Sequence, residues 1–206
     1  MTETKQDHWN RIYSRKSETE LSWHQDDPAH SLDLAAQAGL TPGQSVIDIG
    51  GGTSRFTDDL LAQGLRDITV LDLSQAALDT LRLRLGPRGQ DVTWIAADIT
   101  TWAPGRVYDL WHDRAVFHFL VTPADRAAYL DRLSQALGTG GHAIIATFAP
   151  DGPETCSGLP VVRYAPEALA QTLGPDYQLR AHRLERHKTP AGAEQSFQFS
   201  LFRKIG

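Results

Sequence analysis

The chain has 206 residues, one cysteine and a formal net charge of -5. A domain of that size folds without a disulfide or a structural metal, and the lone Cys156 excludes an intramolecular disulfide and suits a reducing compartment. The basic residues are scattered, so nucleic acid is not an expected partner. The polar opening MTETKQDHWNRIYSRK, with no later run of membrane-spanning length, predicts a cytoplasmic protein without membrane contact, as monomer or dimer.

Trp9, Ile12 and Tyr13 recur at helical spacing and predict a first helix; a second is expected from Pro28 or Ala29 to Ala38. The aromatics either pack these helices onto the sheet or fold over a ligand as a lid. Residues 45–49 read as a short buried strand and 55–64 as a helix, with Phe56, Leu60 and Leu61 inward and Gly64 as its stop. A strand at 68–72 precedes a helix that buries Ala77, Leu78, Leu81 and Leu85, while Arg82, Arg84 and Arg88 read as its solvated face. Strands are predicted at 92–96 and 107–112. Residues 122–125 carry a capping-box pattern with proline in the first turn. The helix they open buries Ala127, Leu130, Leu133 and Leu137, is ended by glycines at 138–141, and leads to a fifth strand at 142–148. A short helix near Pro166 and two extended segments, 177–184 and 195–202, close the chain as an antiparallel hairpin.

The expected fold class is α/β: a doubly wound, mostly parallel seven-stranded sheet with helices on both faces and a C-terminal antiparallel hairpin. One domain is expected over residues 1–206, with a helical cap at 1–40 and the sheet-bearing core at 41–206.

After the first strand comes Asp48-Ile49-Gly50-Gly51-Gly52-Thr53-Ser54. A strand-to-helix turn rich in glycine lets the backbone approach a ligand closely. Asp72 ends the second strand, twenty residues beyond Gly52, where a carboxylate accepts hydrogen bonds from both hydroxyls of a ribose. Turn and acid together indicate an adenosine-type ligand. The acid two residues before the first glycine disfavours a pyrophosphate and favours a ligand with an ammonium and a sulfonium, which is S-adenosylmethionine.

On these residues the chain resembles the class I S-adenosylmethionine-dependent methyltransferases. The first-strand motif of that family, acid-x-Gly-x-Gly-x-Gly, is matched by Asp48, Gly50 and Gly52, with Ser54 in place of the third glycine. The resemblance implies cofactor contacts from Asp48, Gly50, Gly51, Gly52 and Ser54, from Asp72 with Leu73, from Asp98 with Ile99, and from Asp113. It implies S-adenosylhomocysteine as product.

After the fourth strand stand His112, Asp113 and Arg114, where nucleic-acid base methyltransferases carry an Asn/Asp-Pro-Pro-aromatic sequence. The segment resembles the Trp-Asp-Arg-Gly run of thiopurine-type small-molecule methyltransferases, with His112 where tryptophan is usual. Trp9, Tyr13, Ser22 and Trp23 also resemble the N-terminal pattern of lysine methyltransferases acting on citrate synthase and elongation factors. The acceptor is therefore expected to be a small nucleophile, a thiol or related chalcogen first, or else a protein lysine. His112 and Asp113 are the candidate catalytic residues, His112 as proton acceptor or as an ordinary hydrogen-bonded side chain. Trp9, Tyr13, Trp23, Arg114, Cys156 and Arg163 are the candidate acceptor contacts, with Glu154 and Tyr164 beside them. His112, Asp113 and His118 have no recognised zinc spacing, so no metal is expected.

Overall fold

The structure is a computed structural model that describes residues 3–206; Met1 and Thr2, the first residues of the expected cap, lie outside the described residues. Helix α1 (Lys5–Arg15) starts on a capping box in which the Thr4 side chain accepts from the Asp7 amide and the Asp7 carboxylate accepts from the Thr4 amide. A 3-10 turn (Glu18–Glu20) and α2 (Ala29–Gln37) complete the cap. The core then runs β1 (Val46–Ile49), α3 (Phe56–Ala62), β2 (Ile68–Asp72), α4 (Gln75–Leu85), β3 (Thr93–Ala96), β4 (Tyr108–Arg114), α5 (Pro123–Ala136) and β5 (Leu137–Phe148). A two-residue hairpin, β6 (Thr155–Cys156) and β7 (Leu159–Pro160), precedes α6 (Pro166–Leu173), β8 (Tyr177–Lys188) and β9 (Glu194–Lys204).

The seven-stranded sheet has the order β3-β2-β1-β4-β5-β9-β8. Strands β1 to β5 are parallel, and β9 inserts antiparallel between β5 and β8. All residues of β1 and β2 are buried, as covering on both faces requires. Alternation along the strands divides the core. Val46, Val70, Leu110 and Ile144 pack with α2, α3 and α4 on one face, through Leu34, Leu60 and Leu81 among others. Ile47, Ile49, Trp111 and Ile145 pack with α5 and α6 on the other, against Tyr129, Leu133 and Leu169.

Three details differ from the sequence expectation. Arg84 is not on a solvated face. It donates to the carbonyls of Thr53 and Ser54 at 2.9 and 2.6 Å and pairs with Asp58 at 2.6 Å and with Glu18 of the cap. Arg82 and Arg88 are exposed. The glycines at 138–141 lie inside β5, where they absorb a register shift against β4. A Cβ at Gly141 would meet the Gly138 carbonyl oxygen at 2.9 Å. In α5 the buried stripe is Tyr129, Leu133 and Ala136, while Ala127 is exposed. Tyr129 turns inward because its hydroxyl has two buried partners: it accepts from Trp111 Nε1 at 2.8 Å and donates to Asp113 Oδ2 at 2.6 Å.

That hydroxyl serves both sides of a dry contact. Tyr129→Phe should lower stability by about 1–3 kcal/mol, because it strands the indole N–H and removes one donor from a buried carboxylate. The midpoint of urea unfolding should fall with an unchanged slope.

Candidate active site

The parallel register brings the carboxyl ends of three strands together: Ile49 lies beside Leu71 of β2 and beside Asp113 of β4. Gly50, Asp72 and Arg114 therefore emerge along one edge, the place where open α/β sheets bind ligands. Gly50 and Gly52 have φ of +64° and +45°, a conformation that side chains oppose. Space is also closed there. A Cβ at Gly50 would stand 2.1 Å from Val116 Cγ2, and one at Gly52 would stand 2.7 Å from the Tyr13 hydroxyl. Ser54 Oγ accepts from the Phe56 amide at 3.1 Å and so turns the chain into α3.

A cavity of 250 Å³ opens from this edge. Asp72, Leu73, Asp98 and Ile99 line one side of it, with Gly50 at the turn. Asp72 is buried; its Oδ1 accepts from the Ser74 amide at 2.7 Å. Burial raises its pKa from 3.8 to about 7, against the lowering effect of backbone donors from Ser74, Gly52 and Leu73. Asp98 Oδ1 accepts from the amide and hydroxyl of Thr100 at 2.8 and 2.7 Å, which holds the carboxylate at the cavity wall.

Trp9, Tyr13, Trp23, Arg114 and Cys156 also line the cavity. Trp9 contacts Trp23 and Phe119 edge-on, at centroid distances of 5.7 and 5.2 Å, and forms an aromatic roof. Polar contacts join the cap to the core, among them Gln6 donating to the Leu73 carbonyl, Ser74 Oγ donating to Asn10 Oδ1, and Arg114 Nη1 donating to the Trp23 carbonyl. Cys156 is a protonated thiol, its pKa pushed to about 11 by burial.

His112 and Asp113, expected to face the reacting centre, do not line this cavity. Strand β4 runs on to Arg114, two residues past its expected end, so its carboxyl terminus presents Arg114 instead. Within the strand, alternation sends His112 to one face and Asp113 to the other. His112 Nδ1 is 2.6 Å from Asp48 Oδ1 and its Nε2 is 2.8 Å from Ser31 Oγ, while its ring stacks on Phe56 at 4.0 Å. With the carboxylate as acceptor, Nδ1 holds the proton and Nε2 accepts from Ser31. Asp113 accepts from the Val116 amide at 2.8 Å, the Phe117 amide at 3.1 Å and the Tyr129 hydroxyl. Burial raises its pKa to about 6. Its carboxylate braces the bend after β4, where Ala115 takes a φ of 70°.

Arg163 also lies outside the cavity lining; it donates to the Gly152 carbonyl and pairs with Glu154 at 3.0 Å. Tyr164 is buried in the core against Phe117, and His118 is buried with its pKa lowered to about 3.

Asp48 carries the sharpest local signal. It is buried, and its Oδ2 has no hydrogen-bond partner among the described residues. It borders a smaller cavity of 30 Å³ that Gly51, Thr53, Ser54, His112 and Arg114 also line. A buried carboxylate oxygen without a partner is costly and calls for a cationic or donor group. Sequence reasoning does not single out Ser31 or Tyr129. Ser31 is detectable as a polar residue at helical spacing from the buried Leu34 and Ala35.

Residues 46–141 match a family model described as a methyltransferase domain. Trans-aconitate 2-methyltransferase of Rhizobium rhizogenes is 32% identical over 120 residues, 58% of this chain and 43% of that protein. Malonyl-[acyl-carrier protein] O-methyltransferase of Anoxybacillus flavithermus is 26% identical over 170 residues, covering 80% and 62%. The eEF1A lysine and N-terminal methyltransferase of Danio rerio is 23% identical over 149 residues, covering 70% and 21%. The chain thus spans less than two thirds of the length of these curated relatives. Among solved structures, one from work on the conversion of a disulfide bond into a thioacetal group during echinomycin biosynthesis superposes with a TM-score of 0.77. It shares 20% identity and covers 98% of this chain and 93% of that one. The N-methyltransferase NodS from Bradyrhizobium japonicum, in complex with S-adenosylhomocysteine, gives 0.72 at 19% identity, covering 97% and 100%. At these identities the likeness establishes the shared fold.

The raised pKa of Asp72 has a consequence for stability. The folded protein holds its proton more tightly than the unfolded chain does. Its contribution to stability is therefore complete below pH 3.8 and is lost as pH rises through about 7. Asp72→Asn should then stabilise the protein at pH 8 by about 1–3 kcal/mol, a gain that shrinks to nothing as pH falls below ~4. Thermal melting of both proteins across that range checks this.

Proposed function

Because the chain carries a class I methyltransferase domain, we propose that it transfers the methyl group of S-adenosylmethionine to a small nucleophile held beneath the aromatic roof. The observation that carries this reading is the partnerless buried oxygen of Asp48 beside the glycine turn. A carboxylate there attracts an ammonium and repels the pyrophosphate of a dinucleotide. Asp72 is suited to the ribose hydroxyls and Asp98 to the adenine side, with Leu73 and Ile99 against the nucleoside. Gly50, Gly51, Gly52 and Ser54 keep the turn close to the ligand.

When bound, the cofactor supplies a methyl carbon on a sulfonium that departs as a neutral thioether. Trp9, Tyr13 and Trp23 exclude water from the path of attack and orient the acceptor. Apart from Asp72 and Asp98, which this reading assigns to the cofactor, no group among the described residues of the cavity wall is suited to act as a general base. His112 is turned away, Asp113 is enclosed in hydrogen bonds, and the thiol of Cys156 is protonated near neutral pH. The acceptor must therefore arrive with its lone pair already available, as a thiolate or related chalcogen does in part near neutral pH. His112 and Asp113 act by position: His112 orients Asp48, and Asp113 fixes the bend that presents Arg114.

Protein lysine N-methylation is the alternative, in line with the name of one relative. The cavity disfavours it. Lys5 and Arg114 line the wall and repel a protonated lysine, whose reference pKa of ~10.4 keeps it charged without a base.

Calorimetry should detect S-adenosylmethionine binding at micromolar or tighter affinity, and no binding at millimolar cofactor would end the proposal. Asp72→Ala should weaken that binding by about 1.5–3 kcal/mol, the range for hydrogen bonds to a charged group. A methyl-release screen across small thiols, other small nucleophiles and protein extract ranks the acceptors. A methylated protein band with inert small molecules would put the protein lysine first.

A further inference from the structure

Arg114 carries a charge that the methyl-transfer step does not use. Its Nη1 donates to the Trp23 carbonyl at 2.8 Å, while Nε and Nη2 are shut off from solvent and have no hydrogen-bond partner among the described residues. The guanidinium lies over the Phe197 ring, 5.2 Å from its centroid, so one face is covered, and the side chain, which lines the cavity, must turn for a ligand to reach its enclosed Nε–Nη2 edge. Burial lowers its pKa to about 10, which keeps it cationic at neutral pH. Glu185, Cys156, Asp48 and Tyr13 act on it only at longer range, and it forms no ion pair among the described residues. A buried cation with two unmade hydrogen bonds is costly unless a ligand completes it.

The geometry of the free edge narrows the ligand. Nε–H and Nη2–H lie side by side and nearly parallel, a spacing that matches the two oxygens of a carboxylate. One sulfur atom would satisfy a single donor, and an ammonium would be repelled. Trp9, Trp23, Phe119 and Phe197 share the lining of the same cavity with Arg114.

We propose that the methyl acceptor is a small carboxylic acid with an apolar or aromatic body, its carboxylate clasped by the Nε–Nη2 edge of Arg114. The inference rests on the methyltransferase reading and sharpens it. Whichever atom receives the methyl, the acceptor is an acid, and Arg114 is the residue that selects it.

Binding is read by the intrinsic fluorescence of the five tryptophans, of which Trp9 and Trp23 line the cavity, in protein saturated with S-adenosylhomocysteine. The probes are benzoate, phenylacetate and 3-phenylpropanoate, each beside its uncharged amide. The acid should bind more tightly than its amide by about threefold or more in at least one pair, and Arg114→Gln should erase that preference. Arg114→Lys keeps the charge but loses the fork, and should give a smaller preference; it also serves if the glutamine variant fails to fold. Acids that bind no better than their amides in all three pairs overturn the inference, as does a preference that survives in the folded variant. Failure of S-adenosylhomocysteine itself to bind the unaltered protein overturns the methyltransferase reading instead.

Discussion

Asp48, Asp72 and Asp113 are buried carboxylates on three adjacent parallel strands, within a few residues of the crevice. Carboxylates packed so closely, away from water, would unfold the crevice unless each were compensated. The protein compensates them by different means. Asp113 is enclosed by two amides and a phenol, Asp72 holds a proton to an unusually high pH, and Asp48 shares one oxygen with His112. Much of the surrounding architecture follows from these needs, from the inward turn of Tyr129 in α5 to Ser31 on the buried face of α2. The compensation is incomplete at Asp48 Oδ2, the oxygen to which the proposed function assigns the cofactor's ammonium.

Charge is distributed unevenly along the cavity. Asp72 and Asp98 share the cavity lining with two cations, Lys5 and Arg114. In the proposed function the acids take the cofactor and Arg114 takes the acceptor, so the two ligands meet opposite charges.

The sheet was legible because its strands are short apolar runs separated by helical stripes with recognisable caps. Thr122 and the proline after it start α5 as their sequence suggests. The glycine turn, Asp72 and Asp98 were legible because each sits at the end of a strand whose end is marked by glycine or an acid. What sequence could not supply was the final two residues of β4. In a strand, one residue decides the face, and a two-residue error in where the strand ends decides what reaches the crevice. Hence His112 and Asp113 were expected at the reacting centre, whereas Arg114 is the β4 residue that lines the cavity. The role of Arg84 escaped for a related reason. A long charged side chain on a helix reads as solvated unless the partners waiting for it, in this case carbonyls of a distant turn, are known.

Helix α1 roofs the cavity yet buries none of its residues completely, and polar contacts to Leu73, Ser74 and Ala76 anchor it to the nucleoside side. Segments held in that way open at a fraction of the free energy of global unfolding. The helix is therefore placed to open locally without unfolding of the sheet. In the proposed function, local opening of this helix admits and releases ligand while the sheet stays intact, and the frequency of that opening bounds the rate of turnover.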